Sequence, residues 1–274
     1  KYETLYEPFS GSAAFTLYAA SHNLAQRYVI SDSLEPLVQL WEMIVNHPEE
    51  TIKGYTTIWE GQKDGDLDYF NTIRENFNIN RDPLHLLYLM VRCVKNAIRF
   101  NNSGNFSQSA DKRRKGTRPT TMEKQILGAS RLLKGKVEFF ATDFRKVLEP
   151  ATSKDLIYMD PPYQGTSQTS DKRYFEQLTN EDLSKYLDTL NHRDIDYLLS
   201  YDGKTGEKQH GRDLPKELGL SRIYINAGRS SQATLSGAKA ETLESLYFSP
   251  SLSSQLELND DEVFLHNGQR SLSI

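Results

Sequence analysis

Two short clusters of residues in this chain have types and spacing suited to chemistry. The first is Asp160-Pro161-Pro162-Tyr163, directly after the apolar run Asp155-Leu156-Ile157-Tyr158-Met159. Successive prolines stiffen the backbone, so the preceding carboxylate and a proline carbonyl face one cleft. They supply two hydrogen-bond acceptors, and Tyr163 adds an aromatic face. That set suits a planar exocyclic amine: acceptors for its hydrogens and a ring for its base. The same residues also fit a plain strand exit with Tyr163 packed locally. The second cluster is Glu7-Pro8-Phe9-Ser10-Gly11-Ser12-Ala13. A turn of small residues lets a ligand approach the backbone closely at a helix N-terminus. The third glycine of a dinucleotide fingerprint is missing. Asp32 falls where an acidic residue accepts hydrogen bonds from ribose hydroxyls. An ordinary strand-to-helix turn with Asp32 as a helix cap accounts for this pair equally well. Both clusters together, in one α/β frame, point to a site.

The elements that must hold these residues can be read from periodicity. Leu5–Phe9 reads as a strand interrupted at Pro8, and Ala13–Asn23 as a helix. Gln26–Ile30 is a second strand, and Leu34–Asn46 a second helix stopped near Pro48. This β-α-β-α opening starts a doubly wound sheet. From about Gly61 to Leu133 strand character fades. Leu67–Phe77 looks helical, Pro83–Phe100 is a longer helix capped by Asp82, and Thr121–Leu133 is helical again. Between the last two lie the turn-rich Asn101–Asn105 and the basic stretch Lys112–Pro119. Alternation then resumes with strands at Val137–Ala141, Asp155–Met159, Tyr197–Tyr201 and Arg222–Ile225, and a helix at Asn180–Asn191. Leu243–Phe248 is expected to form an edge strand, and the polar tail after Pro250 to be loosely ordered.

Composition narrows the function classes. The chain has 274 residues, 37% of them hydrophobic and 26% charged, which supports one large domain or a domain with a sizeable insertion. Lys and Arg total 33 against 37 Asp and Glu, a net charge of −4, so any polyanion site must be a local patch. The single cysteine, Cys93, excludes a disulfide framework and a cysteine-rich zinc site. Scarce cysteine and the absence of a long apolar run or secretory signal suggest a cytoplasmic protein with no membrane span. The six histidines are scattered without ligand pairing, Glu49-Glu50 and Asp260-Asp261-Glu262 read as solvated, and Leu86, Leu87, Leu89, Met90 and Val94 read as helix core.

Glu-Pro-Phe-Ser-Gly-Ser-Ala-Ala-Phe at residues 7–15, followed far downstream by Asp-Pro-Pro-Tyr at 160–163, resembles the Dam-type DNA adenine-N6 methyltransferases of the D12 class, alpha group. The resemblance covers roughly residues 5–46, 97–118 and 137–200, and the order of the motifs is part of it. It implies S-adenosylmethionine as the methyl donor, held by Glu7, Pro8, Phe9, Ser10, Gly11, Ser12, Ala13, Asp32 and Asp160. Asp143-Phe144 is similar to the family's Asp-Phe step at the donor's adenine. Ile98-Arg99-Phe100-Asn101 with Gly104-Asn105-Phe106 resembles its Arg-Tyr-Asn…Gly-Glu-Phe-Asn segment. The 149 positions from Gly11 to Asp160 exceed what the intervening β-α units need, and the family places its target-recognition region there. Two departures stand out: the family's Gly-Gly-Lys or Gly-Ser-Lys element has no match at usable spacing, which leaves it upstream of Lys1 or donor binding weakened, and Ser-Gln-Ser replaces Asn-Val-Pro after Phe106.

The expectation is therefore a doubly wound Rossmann-like methyltransferase domain, residues 1–58 and 135–274, with a mostly helical DNA-recognition insertion at 59–134. It moves a methyl group to adenine N6, with Asp160, Pro161 and Tyr163 as the catalytic set and no metal. The base must leave the duplex, at a cost of a few kcal/mol; Tyr163 is the first stacking candidate, and Phe175 or Tyr174 the next. Lys112, Arg113, Arg114, Lys115 and Arg118 form a dense basic cluster suited to phosphate, or to a solvated loop, and its place in the gap favours DNA. Asn101 and Asn105 suit reading adenine edges or capping turns. Arg229, Ser230, Ser231, Gln232 and Thr234 form a weaker candidate loop. The partners expected are double-stranded DNA and a cognate restriction endonuclease, for a monomer or weak dimer. The alternatives are a cytosine-N4 methyltransferase and a catalytically inactive DNA-binding relative.

Overall fold

A computed structural model describes residues 1–63, 67–96, 98–161, 178–205, 208–210, 213–229, 241–258 and 262–264. The element order is β1 (Tyr2–Glu7), α1 (Ala14–Ser21), β2 (Ala25–Asp32), α2 (Glu35–Asn46), α3 (Pro48–Gly61), α4 (Leu67–Asn80), α5 (Pro83–Arg92), α6 (Pro119–Leu133), β3 (Val137–Ala141), α7 (Phe144–Val147), β4 (Leu156–Met159), α8 (Asn180–His192), β5 (Asp196–Thr205), β6 (Lys208–His210), β7 (Ser221–Arg229), β8 (Glu241–Phe248), α9 (Pro250–Leu256) and β9 (Glu262–Phe264).

The strands form one sheet in the order β3-β2-β1-β4-β5-β8-β7-β9, with β6 paired to β5. β1 through β5 run parallel; β8 is antiparallel to both β5 and β7. Successive strand residues face opposite sides, and both sides are covered. Leu5, Tyr28, Ile30, Leu156 and Leu198 join one apolar cluster with α1, α2 and the helices α3–α6. Tyr6, Val29, Ile157, Met159 and Leu199 join another with α7 and α8. This is the expected doubly wound α/β architecture. α6 packs against α2 and α3, and the first cluster runs without a break from the sheet to Tyr55, Phe70, Phe77 and Leu86.

Three expectations are corrected. Leu243–Phe248 is not at an edge: β8 lies between β5 and β7, and Tyr247 and Phe248, on opposite faces, are both buried. The stop of α2 near Pro48 is as expected: the helix ends at Asn46, and Pro48 is the first residue of α3, where its missing N–H costs nothing. The helix begun at Pro83 ends at Arg92, although Asp82 caps it as expected, accepting from the Leu84 and His85 amides at 2.7 and 3.3 Å. Cys93 turns extended and bridges Ala110, and the Val94 amide donates to the Ser109 carbonyl. Val94 is consequently exposed rather than part of a helix core. After Pro250 the chain forms α9, capped by Ser249 and anchored by buried Leu252.

Candidate functional site

The sheet's strand order reverses between β1 and β4. β2 and β3 continue from β1 on one side, and β4 and β5 extend the other, with Leu5 opposite Leu156 and Tyr6 opposite Ile157. A crevice outside the carboxyl ends of the strands at such a point is the usual ligand site of an open α/β sheet. The two chemistry-bearing clusters lead away from those two ends. Glu7 is the last residue of β1, and Asp160 follows Met159, the last of β4. Asp160 is exposed and Pro161 buried. Pro162, Tyr163, Tyr174 and Phe175 lie outside the described residues.

The turn after β1 is tight and cross-braced. The Ser10 amide donates to the Ser31 carbonyl at 3.0 Å, and the Gly11 amide to Asp32 Oδ2 at 3.3 Å. Asp32 Oδ1 accepts from the Leu34 amide at 3.0 Å at the start of α2, so one carboxylate holds both the turn and the next helix. Burial pushes the Asp32 carboxyl up, opposed by these backbone donors. Gly11 has φ +45°, and a Cβ there would meet nothing within 4 Å. Ala13, in place of a third glycine, is also left-handed at φ 47°, a conformation that costs an L-residue about 1–2 kcal/mol. It is fully buried, and its amide donates to Ser10. The hydroxyls of Ser10 and Ser31 are buried without a partner among the described residues. Trp41 of α2 donates its indole N–H to the Gly11 carbonyl at 3.0 Å, a contact invisible in local sequence pattern because it spans 30 residues.

Glu7 points to the same face as α1, and its Oε2 accepts the Thr16 amide at 2.8 Å, holding the first turn of the helix. Only 3% exposed, its carboxyl is pushed up to about 7, chiefly by burial and further by the Asp160 charge. Turn and corner thus lie within electrostatic reach of each other. Tyr158 sits among the same groups: burial raises its phenol, and Asp160 and Glu7 add to the rise, opposed by a hydrogen bond with Ser200. Its ring stacks on Phe15 of α1 at 4.1 Å between centroids and 13° between planes, a contact worth about 0.5–1.5 kcal/mol beyond burial. Sequence reading did not single out Tyr158. Phe9 packs on Phe144 at 5.1 Å, and Phe144 on Tyr186 at 5.0 Å. Asp143 caps α7 and pairs with the Arg145 guanidinium through both oxygens, at 2.7 and 2.8 Å, which lowers its carboxyl. The main chain puts Asp143 beside Asp32, whose carbonyl accepts from the Thr142 amide at 3.2 Å.

The helical segment holds Asn101, Asn105 and the basic stretch. Asn101 Oδ1 accepts the Ser103 and Asn105 amides at 2.9 and 3.0 Å, closing a turn. Asn105 Oδ1 accepts from Arg81 at 3.2 Å. Lys112, Arg113, Arg114, Lys115 and Arg118 are all exposed. Their backbone is fixed from beneath. The Lys115 carbonyl accepts from Trp59 Nε1 and Gln62 Nε2, each at 3.1 Å, and the Thr117 carbonyl from the Tyr55 hydroxyl. Asp111 accepts from the Arg113 amide and pairs with Arg114 at 2.8 Å, and buried Arg92 donates to the Asp111 carbonyl. Trp59, Arg114, Lys115, Gly116 and Arg118 line a cavity of about 600 Å³ beside the loop. The Arg229 backbone belongs to β7; Ser230, Ser231, Gln232 and Thr234 lie outside the described residues. Among the described residues no group of His, Cys, Asp and Glu is placed to hold a metal, and no helix is long and apolar enough to cross a membrane.

The family model for D12 class N6 adenine-specific DNA methyltransferases matches residues 1–230. Among curated proteins, the chain is 24% identical over 211 residues to Type II methyltransferase M.MjaIII of Methanocaldococcus jannaschii, covering 71% of this chain and 72% of that one. It is 23% identical over 266 residues to Type II methyltransferase M1.LlaDCHI of Lactococcus lactis subsp. cremoris, covering 90% and 87%. It is also 23% identical over 172 residues to the DNA adenine methylase of Serratia marcescens, covering 61% and 60%.

Proposed function

The chain belongs to the D12 class N6 adenine-specific DNA methyltransferase family, and we propose that the crevice between β1 and β4 is where it moves a methyl group from S-adenosylmethionine to adenine N6. The observation that carries this assignment is the meeting of the glycine turn and the Asp160-Pro161 corner at the carboxyl ends of two adjacent parallel strands. The residues of the turn suit such a donor. Ser10 offers a buried hydroxyl without a partner among the described residues, Gly11 faces open space, and buried Asp32 has carboxylate lone pairs for ribose hydroxyls. Bound there, S-adenosylmethionine supplies an electrophilic sulfonium methyl.

The chain's own residues do the rest. Adenine N6 is a weak nucleophile because its lone pair is delocalised into the ring. Asp160 and the Pro161 carbonyl accept the two N6 hydrogens and stabilise the amine as it becomes tetrahedral, an electrostatic term prepared before reaction. Asp160 is exposed, so an extruded base can reach it. Tyr163 stacks on that base. The amine and the methyl group are held in line, which supplies the proximity term. The proton released from N6 passes to Asp160 and on to water. Phe144, packed between Phe9 and Tyr186, walls the donor's adenine, and Asp143 contacts it when the Arg145 pairing opens.

The helical segment 59–134 serves target recognition, with the pinned basic loop on the DNA backbone and Asn101 and Asn105 beside it. The substrate is double-stranded DNA in the cytoplasm, and the enzyme works as a monomer or weak dimer, with a restriction endonuclease of the same specificity as its counterpart. The test is to incubate the chain with S-adenosylmethionine and duplex DNA, digest the DNA to nucleosides and identify the modified base. N6-methyladenine is the expected product. N4-methylcytosine, or no product together with no heat on titration of S-adenosylmethionine, contradicts the reading.

A further inference from the structure

The glycine turn and the proline corner come from different strands, yet in-line transfer requires a fixed distance between them. Backbone pairing does not by itself fix it. The β4–β5 ladder ends with Met159 opposite Leu199, and Asp160 lies one residue beyond. On the other side, α1 begins at Ala14 after the left-handed Ala13, and Glu7 holds its first turn through Thr16. Between these two points runs one aromatic contact. Phe15, the second residue of α1, lies flat on Tyr158, two residues before Asp160. Met159, the intervening residue, is anchored in the opposite apolar cluster. The Tyr158 hydroxyl is bonded to Ser200 of β5, which tethers the far end of the ring to the neighbouring strand. Register places Glu7 opposite Tyr158, since Tyr6 pairs with Ile157.

We infer that the Phe15–Tyr158 stack is a positioning device that sets the spacing between the glycine turn and the proline corner, and with it the alignment of methyl donor and accepting amine. The inference rests on the function proposed above. Neither residue touches the reacting atoms. They act through α1 and β4: removing either ring lets the helix N-terminus and the strand exit move relative to each other. Small misplacements of reacting groups are costly in rate and leave binding largely intact. Side chains acting as one unit also lose their effect together, so the second substitution adds little to the first.

The test compares the full chain with Phe15→Leu, Tyr158→Leu, their double variant and Tyr158→Phe. Each leucine variant is expected to lower kcat about tenfold or more, with KM for S-adenosylmethionine and Kd for duplex DNA changed less than about threefold. The double variant should fall no further than the worse single, and Tyr158→Phe, which keeps the stack, should stay within about threefold of wild type. Thermal unfolding of each variant checks that the chain is folded at the assay temperature; Phe15→Met, whose flexible unbranched side chain adapts to the gap while removing the ring, carries the test where a leucine variant is not. Losses that multiply in the double variant, or KM and Kd that shift along with kcat, overturn the inference. Unchanged kcat in an active wild-type background overturns the inference alone. A wild-type chain that makes no N6-methyladenine overturns the function reading, and this inference with it.

Discussion

The crevice at β1 and β4 and the basic loop at 111–118 are built on opposite plans. At the strand ends the carboxylates that shape the turn are buried: Glu7 and Asp32 are 3% and 2% exposed and both hold backbone amides, while Asp160 at the corner is exposed. In the loop the main chain is what is held, by Trp59, Gln62 and Tyr55 at α3, while the cationic side chains face outward. The first plan fixes polar groups to within fractions of an ångström, as chemistry requires. The second fixes a path and leaves long side chains to adapt, as contact with a phosphate backbone requires. Damage to one region should therefore appear in rate, and damage to the other in affinity and salt dependence.

The sharpest separation comes from Asp160→Ala. Methyl transfer should fall by about 10²–10³-fold or more, the scale of losing one prepared electrostatic partner, while Kd for DNA measured by fluorescence anisotropy changes little. A parallel loss of DNA affinity would merge the two regions into one.

Glu7 tests the crevice through pH. Its carboxyl is held at about 7 in the folded chain against an ordinary value of 4.5. The folded state thus binds more protons than the unfolded one between these values, so stability falls as pH rises from 4.5 to 7 and stays lower above it. The total is about 3 kcal/mol. In denaturant unfolding, Glu7→Gln should gain on wild type as pH increases across this window. A difference independent of pH would contradict the assignment.

In the loop, replacing Lys112, Arg113, Arg114 and Lys115 by Gln should weaken DNA binding roughly 10- to 100-fold and lower the salt slope by about 0.9 for each DNA phosphate that is no longer neutralised. Turnover at saturating DNA should hold. An unchanged slope would mean that the loop faces away from DNA. The smallest effect is expected from Trp59→Phe, which removes the bond to the Lys115 carbonyl. One such bond is worth about 1 kcal/mol, and Gln62 still donates to the same carbonyl, so DNA affinity should fall by at most about fivefold with kcat unchanged. A change in kcat would show that the loop reaches the chemistry.

The same contrast explains what was legible in the sequence. The crevice is local: Gly11 in its turn, Asp32 at a strand end and Asp160 before two prolines each announce themselves within a few residues, and the parallel frame brings them together. Its deeper supports are not local. Trp41 reaches Gly11, and Tyr158 reaches Phe15, only through packing, and nothing in a period-2 strand marks Tyr158 as different from any half-buried aromatic. The loop was legible in charge but not in architecture, because Trp59 and Gln62 act on it from more than 50 positions away. β8 was misplaced for a related reason. Its alternating pattern describes one strand's faces, while its central position depends on β7 returning outside it. The end of α5 at Arg92 was hidden because the apolar spacing continues past the point where Cys93 pairs with Ala110.

The central claim, that the β1–β4 crevice holds the methyl donor, is tested most directly by ultraviolet crosslinking of methyl-labelled S-adenosylmethionine to the wild-type chain, followed by peptide mapping. The label is expected on peptides from residues 7–16 or 156–163, and excess unlabelled donor should remove it. Label confined to the helical segment 67–133, competed in the same way, would contradict the account.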